Sequence, residues 1–274
     1  MFSKRYGTGE RVIVGLHGWA GDHRTFEPLE RWRPESVSLH SFDLPGYGKS
    51  NEPRNWNLPA IAKSLAEEID HLGIDRFTLV GNCSGAVAGL YLAGFLRERI
   101  DRFILIDPFA YFPWYFKLFL LGTFGRYAYF TTFATPVGRL ITNGVLQHRR
   151  TADSDLTASF ADVNHHTVYR YLQMMDAVGG IQKFGDLSMP IDLVYGDRTF
   201  GAVERSIEMW SALWPHAAKR QLRGAGHLPI QETPQQLAEI VFAPGPGTRG
   251  SNTSEVQNVI VHATPLHQLS PEDR

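Results

Sequence analysis

Val80-Gly81-Asn82-Cys83-Ser84-Gly85 is the stretch of sequence on which the fold depends. The residues before it, 77–80, form a short apolar run, and the residues after it, 86–93, combine small and aliphatic side chains. A short apolar run indicates a buried strand, whereas the longer stretch has the composition of a helix that packs closely. We therefore predict a strand, a sharp turn and a helix in direct succession.

The spacing of the glycines indicates which residue lies at the tip of this turn. Strand and helix nearly collide at such a turn, so the positions two before and two after the central residue must be small. Gly81 and Gly85 meet this condition around Cys83. A turn centred on Ser84 would put Asn82 at a crowded position, which is the poorer fit. We therefore predict Cys83 at the tip.

Strands and helices alternate along most of the chain. The predicted strands are 11–16, 37–42, 77–80, 102–106, 190–195 and 220–222, and the predicted helices are 57–72, 86–93, 203–214 and 234–241. Such alternation predicts an α/β fold with a mostly parallel, doubly wound sheet. The pattern is interrupted by a long helical and aromatic segment. We predict a core of residues 1–108 and 190–243, an inserted helical cap at 109–189, and an extended or loosely ordered tail at 244–274.

Composition and charge limit the class of protein. The chain has 274 residues, of which 43% are hydrophobic and 20% charged, as is typical of a globular domain. A formal net charge of −1 gives no indication of a nucleic-acid partner. The single cysteine excludes an intrachain disulfide and fits a reducing compartment. The chain begins with too few apolar residues for a signal peptide, so we expect a cytoplasmic protein.

Four motifs follow predicted strand ends in a defined order. They are His17-Gly18-Trp19, the run Asp43-Leu44-Pro45-Gly46-Tyr47-Gly48-Lys49-Ser50, the turn at Cys83, and the pair Gly196-Asp197 with Gly226-His227. In this order they resemble the α/β-hydrolase-fold superfamily of the capped type, over about residues 10–243. The resemblance implies a nucleophile, an acid and a histidine in the chain order Cys83, Asp197, His227. The chain departs from the family pattern in two ways: it carries a thiol where a serine hydroxyl is usual, and its amino terminus is short for the leading strands.

Cys83 is predicted to attack a carbonyl carbon as its thiolate. A free thiol has a pKa of about 8.5, and a helix amino terminus or a nearby histidinium lowers it. The predicted turn supplies the helix terminus, and His227 lies in a glycine-rich loop from which it can act as the base. The alternative is that Cys83 is a small buried hydrophobic residue, a common role of cysteine. Its place at the tip of the turn favours the nucleophile.

Two aspartates compete for the role of the acid that orients His227. Asp197 fits the Gly-Asp pattern of the family that the chain resembles, and we prefer it. Asp107 also follows a strand end, at a place where some members keep the acid, and it stays as the alternative. The resemblance further implies an oxyanion hole made by the backbone N–H groups of Trp19 and Ser84.

The segment 109–121 is unusually aromatic and predicts an apolar pocket for a long or aryl acyl group. The candidate pocket residues are Trp19, Phe109, Tyr111, Phe112 and Trp114. Helices that simply pack on the sheet are the alternative interpretation. Proline, glycines and basic residues interrupt the segment before enough apolar residues accumulate for a membrane span. Shallow membrane contact through this face is compatible with the pattern.

The expected reaction is hydrolysis of an ester, thioester or lactone with an apolar acyl group, through a thioester on Cys83. One alternative is an acyltransferase that moves an acyl group from a carrier-protein or coenzyme A thioester to an amine, thiol or hydroxyl. The other is a non-catalytic protein that binds a small ligand. No dinucleotide-type glycine pattern follows the first strand, and the adjacent side chains of His165-His166 diverge on a helix, so we expect neither cofactor nor metal.

Overall fold

A seven-stranded sheet runs through the computed structural model, which describes residues 1–245. The strands are β1 (Ser3–Tyr6), β2 (Arg11–Leu16), β3 (Val37–Phe42), β4 (Phe77–Asn82), β5 (Ile100–Ile106), β6 (Ile191–Gly196) and β7 (Ala218–Leu222). They lie in the order β1-β3-β2-β4-β5-β6-β7. β1 pairs with β3 antiparallel, and every other neighbouring pair is parallel. The predicted α/β class with a mostly parallel sheet is confirmed.

Helices flank the sheet and fill the long insertion. The α-helices of the described chain are α1 (Leu58–His71), α2 (Ser84–Leu96), α3 (Trp114–Lys117), α4 (Gly122–Tyr129), α5 (Pro136–Val145), α6 (His165–Asp176), α7 (Gly201–Leu213), α8 (Pro229–Glu232) and α9 (Pro234–Val241). The 3₁₀ segments are His23–Trp32, Arg97–Arg99, Leu118–Leu120, Gln147–Arg149, Ala158–Phe160 and Gln182–Phe184, and Phe130–Ala134 is a π-helix. α3 to α6 lie between β5 and β6.

The two faces of the sheet bury separate apolar clusters. Leu79 and Leu105 belong to a cluster with residues of α1, α2 and α7, whereas Val80 and Ile104 belong to one with residues of α9 and the first 3₁₀ segment. Successive side chains of a strand point to opposite faces, so a strand that is apolar at every position must be covered on both sides. The consecutive apolar residues 79–80 of β4 and 103–106 of β5 are therefore covered on both sides, as in a doubly wound sheet.

Local signals in the sequence set the ends of several elements. The side chain of Asn57 caps α1, because its Oδ1 accepts a hydrogen bond from Ala60 N at 2.8 Å. α1 ends before Gly73, whose φ of 65° is a conformation that glycine adopts readily. The predicted helix at 57–72 therefore has both of its expected boundary residues.

The amino terminus differs from the prediction. Residues 3–6, which the sequence analysis leaves without an element, form β1 and pair with β3 in the register Ser3↔Phe42 to Tyr6↔Leu39. β1 is short and largely polar, so it carries no apolar alternation, and its hydrogen bonds to β3 define it as a strand. The tail predicted for 244–274 lies outside the described residues except for its first two positions.

The strand ends bring the candidate motifs to one edge of the sheet. His17 follows β2, Cys83 follows β4, Asp107 follows β5 and Asp197 follows β6. These four strands are parallel, so the four residues leave the sheet at the same edge, where α/β proteins bind their ligands. Within the described part of the chain, no helix has the length and apolar character needed to cross a bilayer.

Candidate active site

The turn at Cys83 has a strained backbone and very close packing. Cys83 has φ 51° and ψ −114°, and α2 begins at the next residue. A Cβ added at Gly81 would lie 2.5 Å from the Cα of Ala86, and one added at Gly85 would lie 2.3 Å from the carbonyl oxygen of Leu16. Both positions therefore require glycine. The contacts place Cys83 at the tip of the turn, where the glycine spacing predicts it.

His227 connects Cys83 to a buried carboxylate. Its Nδ1 lies 2.7 Å from Oδ2 of Asp107, and its ring is close enough to Cys83 for the thiol to affect its pKa. Burial lowers the pKa of His227, but the interactions with Asp107 and Cys83 outweigh it and raise the pKa to about 10. An imidazole with this pKa is protonated at neutral pH.

Asp107 is held rigidly at the end of β5. It is fully buried and has a positive φ of 46°, an uncommon backbone conformation for a residue other than glycine. Its Oδ2 accepts a hydrogen bond from Thr199 Oγ1 at 2.6 Å, and its Oδ1 accepts one from Gly196 N at 3.3 Å. Thr199 Oγ1 also lies 3.4 Å from His227 Nδ1. Asp107, held from two sides, therefore fixes the orientation of the imidazole.

The structure corrects the preference for Asp197 as the acid. Both carboxylate oxygens of Asp197 accept a hydrogen bond from Gly224 N at 3.0 Å, and its side chain is 35% exposed beside Arg198. The backbone explains the difference, because Asp107 N bonds to β6 whereas Asp197 N bonds to Leu222 of β7, one strand further from Cys83. Asp197 therefore fastens the turn after β7, and the alternative, Asp107, is the partner of His227.

The loop after β2 lies against the Cys83 turn. A Cβ added at Gly18 would lie 3.2 Å from the Cβ of Cys83, so this loop passes directly beside the thiol. The backbone N–H groups of Trp19 and Ser84 donate no hydrogen bond to another described residue. These are the two donors expected for an oxyanion hole, and each is next in sequence to Gly18 or Cys83. Both N–H groups are thus available to a ligand.

His17 holds the same loop in place. Its Nε2 accepts a hydrogen bond from Leu44 N at 3.0 Å, so the proton is on Nδ1, which donates to the carbonyl oxygen of Gly18 at 2.8 Å. His17 is fully buried, and burial lowers its pKa, which keeps the ring neutral. His17 therefore packs and fastens the loop.

Cys83 and His227 both line a cavity of about 410 Å³ between the sheet and the insertion. Of the predicted pocket residues, Trp19, Phe109, Tyr111 and Phe112 line this cavity. Trp114 does not belong with them, because it lies on α3 with 72% of its side chain exposed. The aromatic run 109–116 thus divides between the cavity wall and the outer surface.

Many cavity residues were not predicted from the sequence, and three of them pack on Trp19. Phe116, Phe133 and Phe160 line the cavity and pack their rings 5.0 to 5.5 Å from the ring of Trp19. Phe133 stacks on Phe160 at a ring separation of 4.8 Å. The aromatic content of the insertion predicts that some of its residues line a pocket. No local pattern in the sequence distinguishes these residues from those on the outer face of the insertion.

A clasp from the insertion holds the loop that carries His227. The carbonyl oxygen of Arg149 accepts a hydrogen bond from His227 N at 3.1 Å. Glu232 accepts hydrogen bonds from Gly226 N on one side and from Thr151 N and Ser154 Oγ on the other. His227 is therefore positioned partly by residues far from it in sequence, and no motif in the sequence indicates this contact.

A small acidic cluster near the amino terminus forms hydrogen bonds that hold neighbouring loops together. Asp22, His23 and Asp43 bring potential ligand atoms within 4.8 Å of one another. Asp43, however, accepts hydrogen bonds from His23 N at 2.6 Å and Lys49 N at 2.8 Å, and Asp22 pairs with Arg24. These bonds fasten the turn that follows β3. The His165-His166 pair is also engaged elsewhere, with His165 Nδ1 3.2 Å from the hydroxyl of Tyr129.

The sheet order, the strained turn and the histidine–carboxylate pair together define an α/β hydrolase architecture. The family model of the alpha/beta hydrolase fold matches residues 11–234, so the chain belongs to this family. The predicted resemblance to the α/β-hydrolase-fold superfamily is thereby confirmed. The match says nothing about which atom is the nucleophile.

Individual relatives match only parts of the chain at low identity. A stretch of 89 residues is 30% identical to the biotin biosynthesis bifunctional protein BioHC of Cellvibrio japonicus (strain Ueda107), covering 32% of this chain and 17% of that protein. Esterase YbfF of Escherichia coli (strain K12) is 30% identical over 95 residues, 35% of this chain and 37% of that protein. The chain thus spans well under half the length of these curated relatives.

A solved structure matches more of the chain. The enol-lactonase from Burkholderia xenovorans LB400 superposes with a TM-score of 0.68 at 16% identity, covering 88% of this chain and 94% of that one. At this identity the likeness concerns the fold.

Proposed function

We propose that the protein is an acyl-transfer enzyme that hydrolyses an ester, thioester or lactone with an apolar acyl group through a thioester on Cys83. The observation that carries the proposal is that Cys83 and His227 line the same apolar cavity, with His227 hydrogen-bonded to the buried carboxylate of Asp107. The names of two similar proteins, an esterase and an enol-lactonase, support an ester or lactone substrate.

Acylation begins with the attack of Cys83 as a thiolate. The pKa of about 10 keeps a proton on His227 at neutral pH, so the imidazolium can serve as the proton donor. The sulfur attacks the carbonyl carbon, a C–S bond forms, and the oxyanion accepts hydrogen bonds from the backbone N–H groups of Trp19 and Ser84. The intermediate then breaks its bond to the leaving group, which takes the proton from His227.

Deacylation needs the same histidine as a base. The hydrogen bond and the charge of Cys83 both raise the pKa of His227, and acylation removes that charge. The pKa of His227 therefore falls once the thioester has formed, and the neutral ring takes a proton from water as the water oxygen attacks the thioester carbon. The C–S bond breaks, the carboxylic acid leaves, and the thiolate–imidazolium pair returns.

An acyltransferase is the second candidate, and the thiol is the observation that favours it. A Cys83 thioester exchanges readily with thioester donors, so a carrier-protein or coenzyme A conjugate suits as the acyl source, and an amine, thiol or hydroxyl replaces water. A binding protein without catalysis is the third candidate, and the arrangement of His227 with Asp107 disfavours it.

One experiment distinguishes the three candidates. The protein is incubated with a panel of p-nitrophenyl esters and acyl thioesters, and its intact mass is recorded with and without amine and thiol acceptors. A hydrolase shows a transient adduct on Cys83 that is released as acid, whereas a transferase keeps the adduct until an acceptor is added. Intact substrates without any adduct would refute the proposal in favour of the binding protein.

Variants of the site sharpen this experiment. Cys83→Ala should show no adduct, and His227→Ala should lose turnover while keeping the fold, as judged by circular dichroism. Cys83→Ser tests the dependence on sulfur, because a serine hydroxyl needs a general base where the thiolate does not. We expect Cys83→Ser to form the adduct at least about tenfold more slowly, since His227 would have to lose its proton first.

A further inference from the structure

The outer side of the insertion exposes an unusual amount of apolar surface. Twelve large hydrophobic residues of the described chain are exposed, and nine of them lie between positions 114 and 145. They are Trp114, Leu118, Leu121, Phe124, Tyr127, Val137, Leu140, Ile141 and Val145. We call these nine residues the outer apolar face. Contiguous apolar surface of this kind marks an interaction site in soluble proteins.

Two helices present this face with regular spacing. On α4 and the residue before it, Leu121, Phe124 and Tyr127 follow at intervals of three, and Phe124 and Tyr127 are 78% and 71% exposed. On α5 the exposed residues 137, 140, 141 and 145 share one side, as residues three or four apart do on a helix. Each helix therefore carries an apolar stripe directed to solvent.

The same helices also reach the cavity. Thr142 on α5 and Leu146, the residue after the helix, line the cavity that holds Cys83. Ile141 and Val145, one position earlier in each case, face outward. The outer apolar face is therefore separated from the cavity by the thickness of one helix. An amphiphilic molecule held at this face would lie close to the cavity wall.

The segment that carries the face is basic in sequence. Between Asp107 and Asp153 the chain has five Lys or Arg residues and no Asp or Glu, in a protein whose formal net charge is −1. Lys117 pairs with Asp176 from α6, and Arg149 and Arg150 bond to backbone carbonyls, so Arg126 and Arg139 are the basic residues on α4 and α5 themselves. Arg126 is exposed on α4, between Phe124 and Tyr127. Apolar stripes with basic flanking residues and interfacial Trp or Tyr are the composition of helices that lie in the headgroup region of an anionic bilayer.

We propose that the outer apolar face docks on an anionic lipid surface, with its side chains inserted to the depth of the headgroups. A second copy of the chain fits less well, because it would bring two basic segments together. An acidic carrier protein would match the basic charge of the segment. The surface of a transient protein contact is more polar, however, than these apolar stripes. The inference concerns binding alone and does not require Cys83 to react.

The test is vesicle flotation of the full chain. Phosphatidylcholine vesicles with and without about 30 mol% phosphatidylglycerol are used at low and high salt. We expect binding to the anionic vesicles, weaker binding to the neutral ones, and loss of the difference at high salt. The double variant Phe124→Ser with Leu140→Ser should lower the partition coefficient at least about tenfold.

A matched control separates this face from general hydrophobicity. Phe95 is 52% exposed on α2, outside the insertion, so Phe95→Ser should bind vesicles like the wild type. Cys83→Ala should also bind like the wild type, which keeps a failure of this inference distinct from a failure of the proposed chemistry. Thermal melts confirm that each variant is folded.

Three results would overturn the inference. The first is that the wild type does not bind anionic vesicles. The second is that Phe95→Ser lowers vesicle binding as much as the double variant does, and the third is that the protein binds an acidic carrier protein and no vesicles. A dimer by light scattering that becomes a monomer in the double variant would assign the face to self-association instead.

Discussion

Asp107→Asn is the substitution that most directly tests the assignment of the acid. The wild-type carboxylate is fully buried and accepts hydrogen bonds from His227 Nδ1 at 2.7 Å and Thr199 Oγ1 at 2.6 Å. Asparagine has nearly the same shape but no charge, and its amide oxygen is a weaker acceptor than a carboxylate oxygen. The variant therefore loses the group that fixes the tautomer of His227 and stabilises its cation.

The size of the effect follows from the nature of the nucleophile. In a Ser-His-Asp triad this exchange lowers kcat by about 10⁴. A thiol with a pKa of about 8.5 loses its proton far more readily than a serine hydroxyl, so Cys83 depends less on a fully effective base. We therefore expect a loss of about 10²–10³ in kcat/KM, which corresponds to about 3–4 kcal/mol of transition-state stabilisation.

The assay is the pH profile of kcat/KM on a water-soluble p-nitrophenyl ester. The hydrogen bond to Asp107 is the largest contribution that raises the pKa of His227 to about 10, so Asp107→Asn should shift the alkaline limb to lower pH. Asp197→Asn is the matched control and should stay within about twofold of the wild type, since Asp197 bonds to Gly224 N. A greater loss with Asp197→Asn, or an unshifted alkaline limb with Asp107→Asn, would refute the reasoning.

Three further predictions follow. Gly85→Ala should lower the free energy of unfolding by more than about 2 kcal/mol, because the added Cβ would lie 2.3 Å from a backbone oxygen. Gly94 lies on the same helix, and a Cβ added there meets nothing within 4 Å, so Gly94→Ala should raise the free energy of unfolding by about 0.5–1 kcal/mol. Urea unfolding measures both, and equal effects would contradict the close packing of the turn. Thr199→Val removes the 2.6 Å hydrogen bond to Asp107 and should lower kcat about tenfold at an unchanged KM. Thr199→Ser keeps the hydroxyl and should recover the activity. A change in KM alone would argue against a positioning role for Thr199. The raised pKa of His227 contributes stability that is complete below about pH 6.5 and is lost as the pH rises to about 10, so the difference in unfolding free energy between wild type and His227→Ala should shrink across that range.

The outcome for individual residues shows which kinds of signal the sequence carries. Gly81 and Gly85 predict the turn correctly, because the steric conflict they relieve lies within a few residues of the chain. β1 has no such signal, since its hydrogen bonds to β3 join residues more than thirty positions apart. Trp114 and Phe116 belong to the same aromatic run, yet one faces solvent and the other the cavity. Only the packing of the insertion separates them.

The sequence by itself determines the alternation of strands β2 to β7 with helices, the doubly wound sheet and the position of the thiol, because apolar runs and glycine spacing act locally. The tertiary structure decides which aspartate meets His227. Both candidates follow a parallel strand, but their surroundings differ. The backbone N–H of Asp107, a residue with a φ of 46°, bonds to β6, whereas the carboxylate of Asp197 accepts a hydrogen bond from Gly224 N in the turn after β7. The tertiary structure also supplies the clasp of Arg149 on the histidine loop, since that contact joins two segments nearly eighty residues apart.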